Sequence, residues 1–404
     1  MILVAVFVSV FFLYSLIARR LEQSVVTGPM IFTTAGILAV VVMPELHELE
    51  GNRTAFLWFA EIGLVMTLFS DASRVNLQAL KADGYLPFRL LSAGMLLTIL
   101  LGTLIAVALF PSLTVWEAGV LAAILAPTDA GLGQIIVNSP RVPSLVRRSL
   151  NVEAGLNDGL AVPFMMLFIA LAASGTEGAG AVMVRFIVEQ LGFGTLVGLL
   201  TGLIGGGLLG PAQRNGWSSH AFEQLGLVAL PLFCIIASKP TGASMFIAAF
   251  TAGLAVQAGF KDAERICIEF TEEWGQALNS FVFFLFGLFV AGAWEQFNLT
   301  VVVYAVLSLT VVRMLPVAVA LTGTGLKRAT VLFMGWFGPR GLASIVLGLV
   351  FLEEEARLPG EPTVRIVVMA TVLLSIFAHG ITALPGIALY ARKVSGSNGT
   401  DPVC

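Results

Sequence analysis

The stretch Leu150-Asn151-Val152-Glu153-Ala154-Gly155-Leu156-Asn157-Asp158-Gly159 sets two carboxylates and two carboxamides inside a run that otherwise reads as a lipid-solvated helix. A charged side chain at the bilayer centre costs about 2.5–3.5 kcal/mol on insertion scales, so an acid held there marks a functional site by default. On a helix Asp158 follows Ala154 by four residues and Asn157 follows Glu153 by four, which puts these pairs on neighbouring parts of one face. Gly155 and Gly159 keep that face open. The chemistry this suits is exchange at one carboxylate: Asp158 holds a hard cation or a proton, never both, while the site opens alternately to each side. The competing reading is a buried aspartate hydrogen-bonded to a neighbouring helix.

Other residues bear on the same site. Thr128 and Asp129 fall in Ala126-Pro127-Thr128-Asp129-Ala130-Gly131, where a helix is expected to unwind, and freed carbonyls there suit a hard cation beside carboxylate oxygen. A helix cap explains Asp129 equally well, because aspartate favours helix starts and offsets the partial positive charge there. Glu153 and Arg340 are each costly alone, and an ion pair between them is the cheapest resolution; Arg340 as a direct ion gate is the alternative. Arg313, three residues before Pro316, needs a carbonyl or acid partner that nothing in the sequence names. Asp71, in Phe69-Ser70-Asp71-Ala72, is either an acid on the ion's access path or a solvated helix end, the polar residues around it favouring the second. His379 stands alone in an apolar run, a packing histidine before it is a proton sensor.

The elements that must hold these residues are membrane spans. Of 404 residues, 57% are hydrophobic and 12% charged, too few charges for the surface of a soluble domain. Spans need about 20 mainly apolar residues, and about thirteen runs qualify: 2–18, 29–43, 55–70, 86–110, 117–137, 149–173, 181–210, 223–238, 242–258, 276–294, 299–320, 329–351 and 363–390. The expected fold class is therefore an all-α polytopic membrane protein. With the N-terminus outside and the C-terminus cytoplasmic, fifteen of the 22 basic residues, from Arg19-Arg20 to Arg392-Lys393, lie inside; only Arg53, Arg185, Lys239, Arg357 and Arg365 lie outside, as the positive-inside rule requires. The acidic clusters Glu45 to Glu50 and Glu353-Glu354-Glu355 land outside. In the first run the basic pair follows the apolar stretch, so that run reads as a retained helix and not a cleavable signal peptide.

Residues 1–394 read as one transmembrane domain and 395–404 as a short cytoplasmic tail, with no room for a soluble regulatory domain. Mixed charges and Trp274 mark 259–275 as a cytoplasmic segment lying at the membrane interface. Gly194, Gly198, Gly202, Gly206 and Gly210 recur every four residues, a seam for close helix crossing within one chain or, as a second reading, between copies. Two runs stand out because polar or helix-breaking residues interrupt them midway, 117–137 at Ala126 to Gly131 and 329–351 at Gly338-Pro339-Arg340-Gly341; inside a bilayer this is tolerated where protein or a water-filled cavity satisfies the backbone. If the seventh run links two six-helix halves, these broken helices occupy equivalent places, as in transporters built from inverted repeats.

Several classes are excluded. Three scattered cysteines, Cys234, Cys267 and Cys404, give neither a disulfide framework nor a metal-ligand spacing. A net charge of −3 without a basic tract argues against nucleic acid. There is no phosphate loop for a nucleotide, no metalloprotease signature or serine elbow for an enzyme, and no filter-like carbonyl repeat for a channel, and no cofactor is expected.

Ala126-Pro127-Thr128-Asp129, Asn138-Ser139-Pro140-Arg141-Val142-Pro143 and Asn151 to Gly159 together resemble the NhaP/NHE-type sodium/proton antiporters of the monovalent cation:proton antiporter superfamily. Trp336-Phe337-Gly338-Pro339-Arg340-Gly341 resembles their second broken helix, and Lys239 to Phe250 is also similar; the likeness spans nearly the whole chain. It implies an NhaA-like antiporter fold with two crossing broken helices. Core helices at about 86–173 and 299–390 would move against a dimerisation scaffold at about 2–70 and 181–294. It further implies that Asp158 is the shared cation and proton carboxylate with Asn157 beside it, that Thr128 and Asp129 line the crossing, and that Glu153 and Arg340 pair to hold it. The Asn-Asp arrangement implies electroneutral exchange. Ala154 stands where many relatives carry serine, and Ala130 where proline is common, which bears on cation preference.

The sequence thus leads to a non-enzymatic, secondary-active, homodimeric antiporter of the inner or plasma membrane. It would exchange Na+, or Li+ or K+, for H+ by an elevator-like movement of the core. The alternatives are a potassium/proton antiporter or organic-anion symporter on the same scaffold, and a non-exchanging cation channel or sensor.

Overall fold

The computed structural model describes residues 2–21, 24–43, 53–74, 85–174, 178–263, 266, 276–353 and 358–395, and its described elements are helical. In chain order they are α1 (Ile2–Leu21), α2 (Gly28–Val42), α3 (Arg53–Ser73), α4 (Tyr85–Leu109), α5 (Val115–Ile124), α6 (Ala130–Val137), α7 (Ser144–Ala173) and α8 (Gly180–Arg214). There follow α9 (His220–Ser238), α10 (Met245–Val256), α11 (Gln276–Ala293), α12 (Leu299–Ala320), α13 (Arg328–Trp336), α14 (Leu342–Glu353) and α15 (Glu361–Ser395). Among the described residues α1, α4, α7, α8, α9, α11, α12 and α15 are long and apolar enough to cross a membrane, and α2, α5, α10 and α14 are shorter apolar helices. The acidic cluster Glu45 to Glu50, residues Glu354 and Glu355, Trp274 with most of 259–275, Cys267, Cys404 and the tail from 396 lie outside the described residues.

Two short, mostly apolar helices, α5 and α10, sit largely in the interior. In α5, Ala118, Val120, Leu121, Ala123 and Ile124 are buried; in α10, Ala248, Ala249, Ala252 and Val256 are. The start of α5 is fixed by a capping box, in which Thr114 Oγ1 accepts from the Glu117 amide and the Glu117 carboxylate accepts from the Thr114 amide at 2.8 Å. Glu117 also accepts from the Gly360 amide at 2.6 Å, tying α5 to the turn that begins α15.

The glycine period of α8 packs on α10 within the same chain. A Cβ at Gly198, Gly202, Gly206 or Gly210 would overlap the carbonyl oxygen of Ala248, Ala252, Val256 or Gly259 in turn, so the two backbones touch along four successive turns. The chain then reverses through a single 3₁₀ turn, Lys239–Thr241, closed by Gly242 at φ 66°.

The runs 117–137 and 329–351 are each two helices meeting at an irregular segment. Pro127 and Pro339 supply the breaks: each lacks an N–H, and each disfavours helical backbone at the residue before it. The segments 125–129 and 337–341 are left irregular and face one another.

Candidate functional site

The facing segments are stitched together by the backbone groups that the breaks set free. The Asp129 amide donates to Pro339 O at 2.8 Å, Ser344 Oγ donates to Ile124 O at 2.8 Å, and Arg340 Nη1 donates to Pro127 O at 3.1 Å. Asp129 serves both breaks at once. Its Oδ1 accepts from the Leu132 amide at the start of α6, and its Oδ2 accepts from the Leu342 amide at the start of α14. Each helix start carries about half a unit of positive charge, so one carboxylate offsets two. Gly341 permits this approach, since a Cβ there would overlap the Asp129 carboxylate. The cap reading of Asp129 thus holds for two helices.

Helix α7 runs past this crossing and presents the remaining polar groups. Asn157 Nδ2 donates to Thr128 Oγ1 at 2.6 Å. Asn157 Oδ1 and Asp158 Oδ1 are both buried and have no hydrogen-bond partner among the described residues. Asp158 is 8% exposed, and its charge interacts with those of Asp71 and Asp129. Asp71 is half-buried near the end of α3. One turn before Asp158, a cavity of about 20 Å³ is lined by Thr128, Asp129, Leu150, Ala154, Phe337 and Pro339, room for about one water-sized particle. Asp158 lies beyond its wall, beside Gly159, whose missing side chain admits the Phe250 ring from α10. Among the described residues no three His, Cys, Asp or Glu side chains gather as a tight metal site would require.

The expected pairing of Glu153 with Arg340 is corrected. Glu153 instead takes Arg313 of α12 in a two-pronged pair, Nη1 to Oε1 at 2.6 Å and Nη2 to Oε2 at 3.0 Å, with both side chains buried. Gly338 makes room, since a Cβ there would overlap the Arg313 guanidinium. Arg340 is 0% exposed and spends its Nη1 on the carbonyls of Pro127 and Gly338. Lying in the unwound segment itself, it is the nearest donor to carbonyls that lost their helical partners, whereas Glu153 faces α12. Arg313 is thus the site residue whose partner the sequence left unnamed, and its burial beside Pro316 was the signal. His379 is buried and fully engaged, with Nε2 2.9 Å from Trp336 O and Nδ1 near Ser375.

Residues 6–386 match the family model described as sodium/hydrogen exchanger, transmembrane. A probable Na+/H+ antiporter of Schizosaccharomyces pombe is 27% identical over 62% of the chain and 34% of its own length, and a second Na+/H+ antiporter of that yeast is 27% identical over 63% and 58%. A sodium, potassium, lithium and rubidium/H+ antiporter of Bacillus subtilis is 26% identical over 56% and 33%. The chain thus spans between a third and three-fifths of the length of these curated relatives. Among solved structures, the sodium proton antiporter MjNhaP1 of Methanocaldococcus jannaschii superposes with a TM-score of 0.78 over 94% of this chain and 99% of that one, at 19% identity.

Proposed function

The chain belongs to the sodium/hydrogen exchanger family, and from that premise we propose that it is a secondary-active antiporter exchanging a monovalent cation, Na+ first, for H+. The observation that carries this reading is Asp158. A carboxylate oxygen buried with no hydrogen-bond partner among the described residues, with an equally unpartnered amide oxygen on the preceding residue Asn157, offers oxygen donors for a small hard cation or a site for a proton. Two occupants competing for one oxygen pair is what coupled exchange requires. Asp129 and Thr128 hold the crossing beside it, with Asp129 divided between capping and the cation, and Asp71 lies within reach of the Asp129 and Asp158 charges.

The fuller form of the proposal follows the same geometry. Thirteen spans in two inverted six-helix halves would bring the breaks in 117–137 and 329–351 to equivalent positions. The core, about 86–173 and 299–390, would carry Asp158 past the scaffold, about 2–70 and 181–294, as an elevator. With one titrating aspartate beside a neutral Asn157, the exchange would be electroneutral, one cation for one proton. The protein would be a homodimer in a cell membrane with its N-terminus outside. A potassium/proton exchanger is the second reading, favoured by the breadth of cations in the name of the Bacillus relative.

The test is dissipation of a preformed pH gradient in proteoliposomes on adding Na+, Li+ or K+ separately, with valinomycin clamping the voltage in one arm. The expected result is cation-dependent dissipation insensitive to the clamp and abolished in Asp158→Asn, which still inserts and folds. Exchange retained in Asp158→Asn would sink the assignment. Current far above transporter turnover and without proton movement would favour a channel.

A further inference from the structure

The exchange reading leaves unused a buried cluster of polar side chains on α15 behind the second break. Ser375 and His379 are one turn apart and 0% and 3% exposed. Ser375 Oγ accepts from the Arg340 amide at 2.7 Å, and it lies 3.1 Å from His379 Nδ1, which is also 3.0 Å from Ser375 O. On the other side of the ring, His379 Nε2 lies 2.9 Å from Trp336 O, the carbonyl that ends α13. The Trp336 indole covers the imidazole, with ring centres 5.1 Å apart, and its Nε1 donates to Thr382 Oγ1 at 3.0 Å.

With its proton on Nε2, a neutral imidazole donates to Trp336 O and accepts at Nδ1 from Ser375 Oγ–H, which leaves the Ser375 hydroxyl oxygen to receive the Arg340 N–H; the Ser375 carbonyl beside Nδ1 then takes no proton from the ring. The hydrogen bonds then run in one direction from Arg340 to Trp336 and grip the unwound segment 337–341 at both ends. This segment is the one whose Pro339 O accepts from the Asp129 amide, whose Arg340 side chain reaches Pro127 O, and whose far end offers Leu342 N to the Asp129 carboxylate.

We propose that His379, with Ser375, is a positioning residue for exchange: the pair clamps both ends of the second break to α15 and so sets where Asp129 and the crossing stand relative to Asp158. A backbone without regular helical hydrogen bonds depends on other partners for its rigidity, here the Asp129 amide at Pro339 O and the Ser375 and His379 side chains. The functional half of the inference rests on the exchange reading; the clamp itself does not.

The experiment compares wild type, His379→Ala, Ser375→Ala and His379→Gln in two measurements on the full chain. In proteoliposomes, the two alanine variants are expected to raise the half-activating cation concentration about tenfold, the low end for groups that orient ion ligands from behind, with the maximal rate within about twofold of wild type. His379→Gln, whose amide offers a donor toward Trp336 O and an acceptor toward Ser375, is expected to restore most of the affinity. In amide hydrogen exchange, segment 337–341 is expected to lose protection in both alanine variants and to keep it in His379→Gln. Unchanged half-activation in both alanine variants would overturn the positioning role. His379→Gln as defective as His379→Ala would do so as well, because bulk and not hydrogen bonding would then be missing. A wild type inert toward every cation would overturn the exchange reading alone, and the clamp would stand or fall on the protection of 337–341.

Discussion

The broken-helix crossing and the α8–α10 seam meet the same demand, close approach of two backbones inside lipid, by opposite means. At the seam, glycines remove the side chains and unbroken helices satisfy their own hydrogen bonds, so contact is apolar and continuous over four turns. At the crossing, both helices give up several hydrogen bonds, and Asp129, Arg340, Ser344 and Ser375 replace them one by one. Dispersion along a seam is collective and offers no discrete step. A junction of a few directional bonds around fixed charges can be remade in a second arrangement. On the proposed exchange reading, the seam would suit a rigid scaffold and the crossing the part that responds to an ion.

The sharpest way to break that comparison is at the ion pair under the crossing. Removing one member of a buried pair strands the other charge, at a cost of about 3–5 kcal/mol. Glu153→Ala and Arg313→Ala are therefore each expected to lower the thermal midpoint of the detergent-solubilised protein severely, while the double change Glu153→Gln with Arg313→Met recovers most of it. A double-mutant cycle should give Glu153–Arg313 a larger coupling than Glu153–Arg340, whose charges interact without a direct bond. A larger coupling to Arg340 would undo the assigned partnership.

A smaller loss is expected at the seam. Gly206→Val forces a branched side chain against Val256 O, an overpacking of about 1–3 kcal/mol. Protein yield and thermal midpoint should fall, yet the molecules that fold should keep the wild-type half-activating cation concentration. If that concentration shifts as far as it does in crossing variants, the seam is not the passive partner described here.

How much of this was written in the chain depends on whether a feature is local. The interior position of Asp158 was legible because an acid in an apolar run is costly wherever the helix lies, and both breaks were legible because proline stands there among other polar or glycine residues. The seam was legible from its four-residue period. The partner of Glu153 was not, because two buried arginines at positions 313 and 340 satisfy the same charge argument, and only the path of α12 decides between them. Nor was the double cap at Asp129 visible, since its second helix start lies over two hundred residues away. His379 offered only its type; the proposed role comes from Trp336 O at one ring nitrogen and, through Ser375, the Arg340 amide at the other.

The smallest expected effect tests whether the cavity beside the crossing belongs to the ion's path. Ala154 contributes only a methyl group to a wall in which Thr128 and Asp129 are the polar side chains, one turn before Asp158. Ala154→Ser adds an oxygen there at little cost in packing, because the space is already open. If a cation passes or rests in that cavity, the added hydroxyl lowers its half-activating concentration by less than about tenfold, under about 1.4 kcal/mol. The gain should differ among Na+, Li+ and K+, because each ion fits one oxygen arrangement differently. Parallel exchange assays with the three cations measure this directly. An identical profile in Ala154→Ser and wild type would separate the cavity from the site and leave Asp158 to be reached from the Phe250 side of α7.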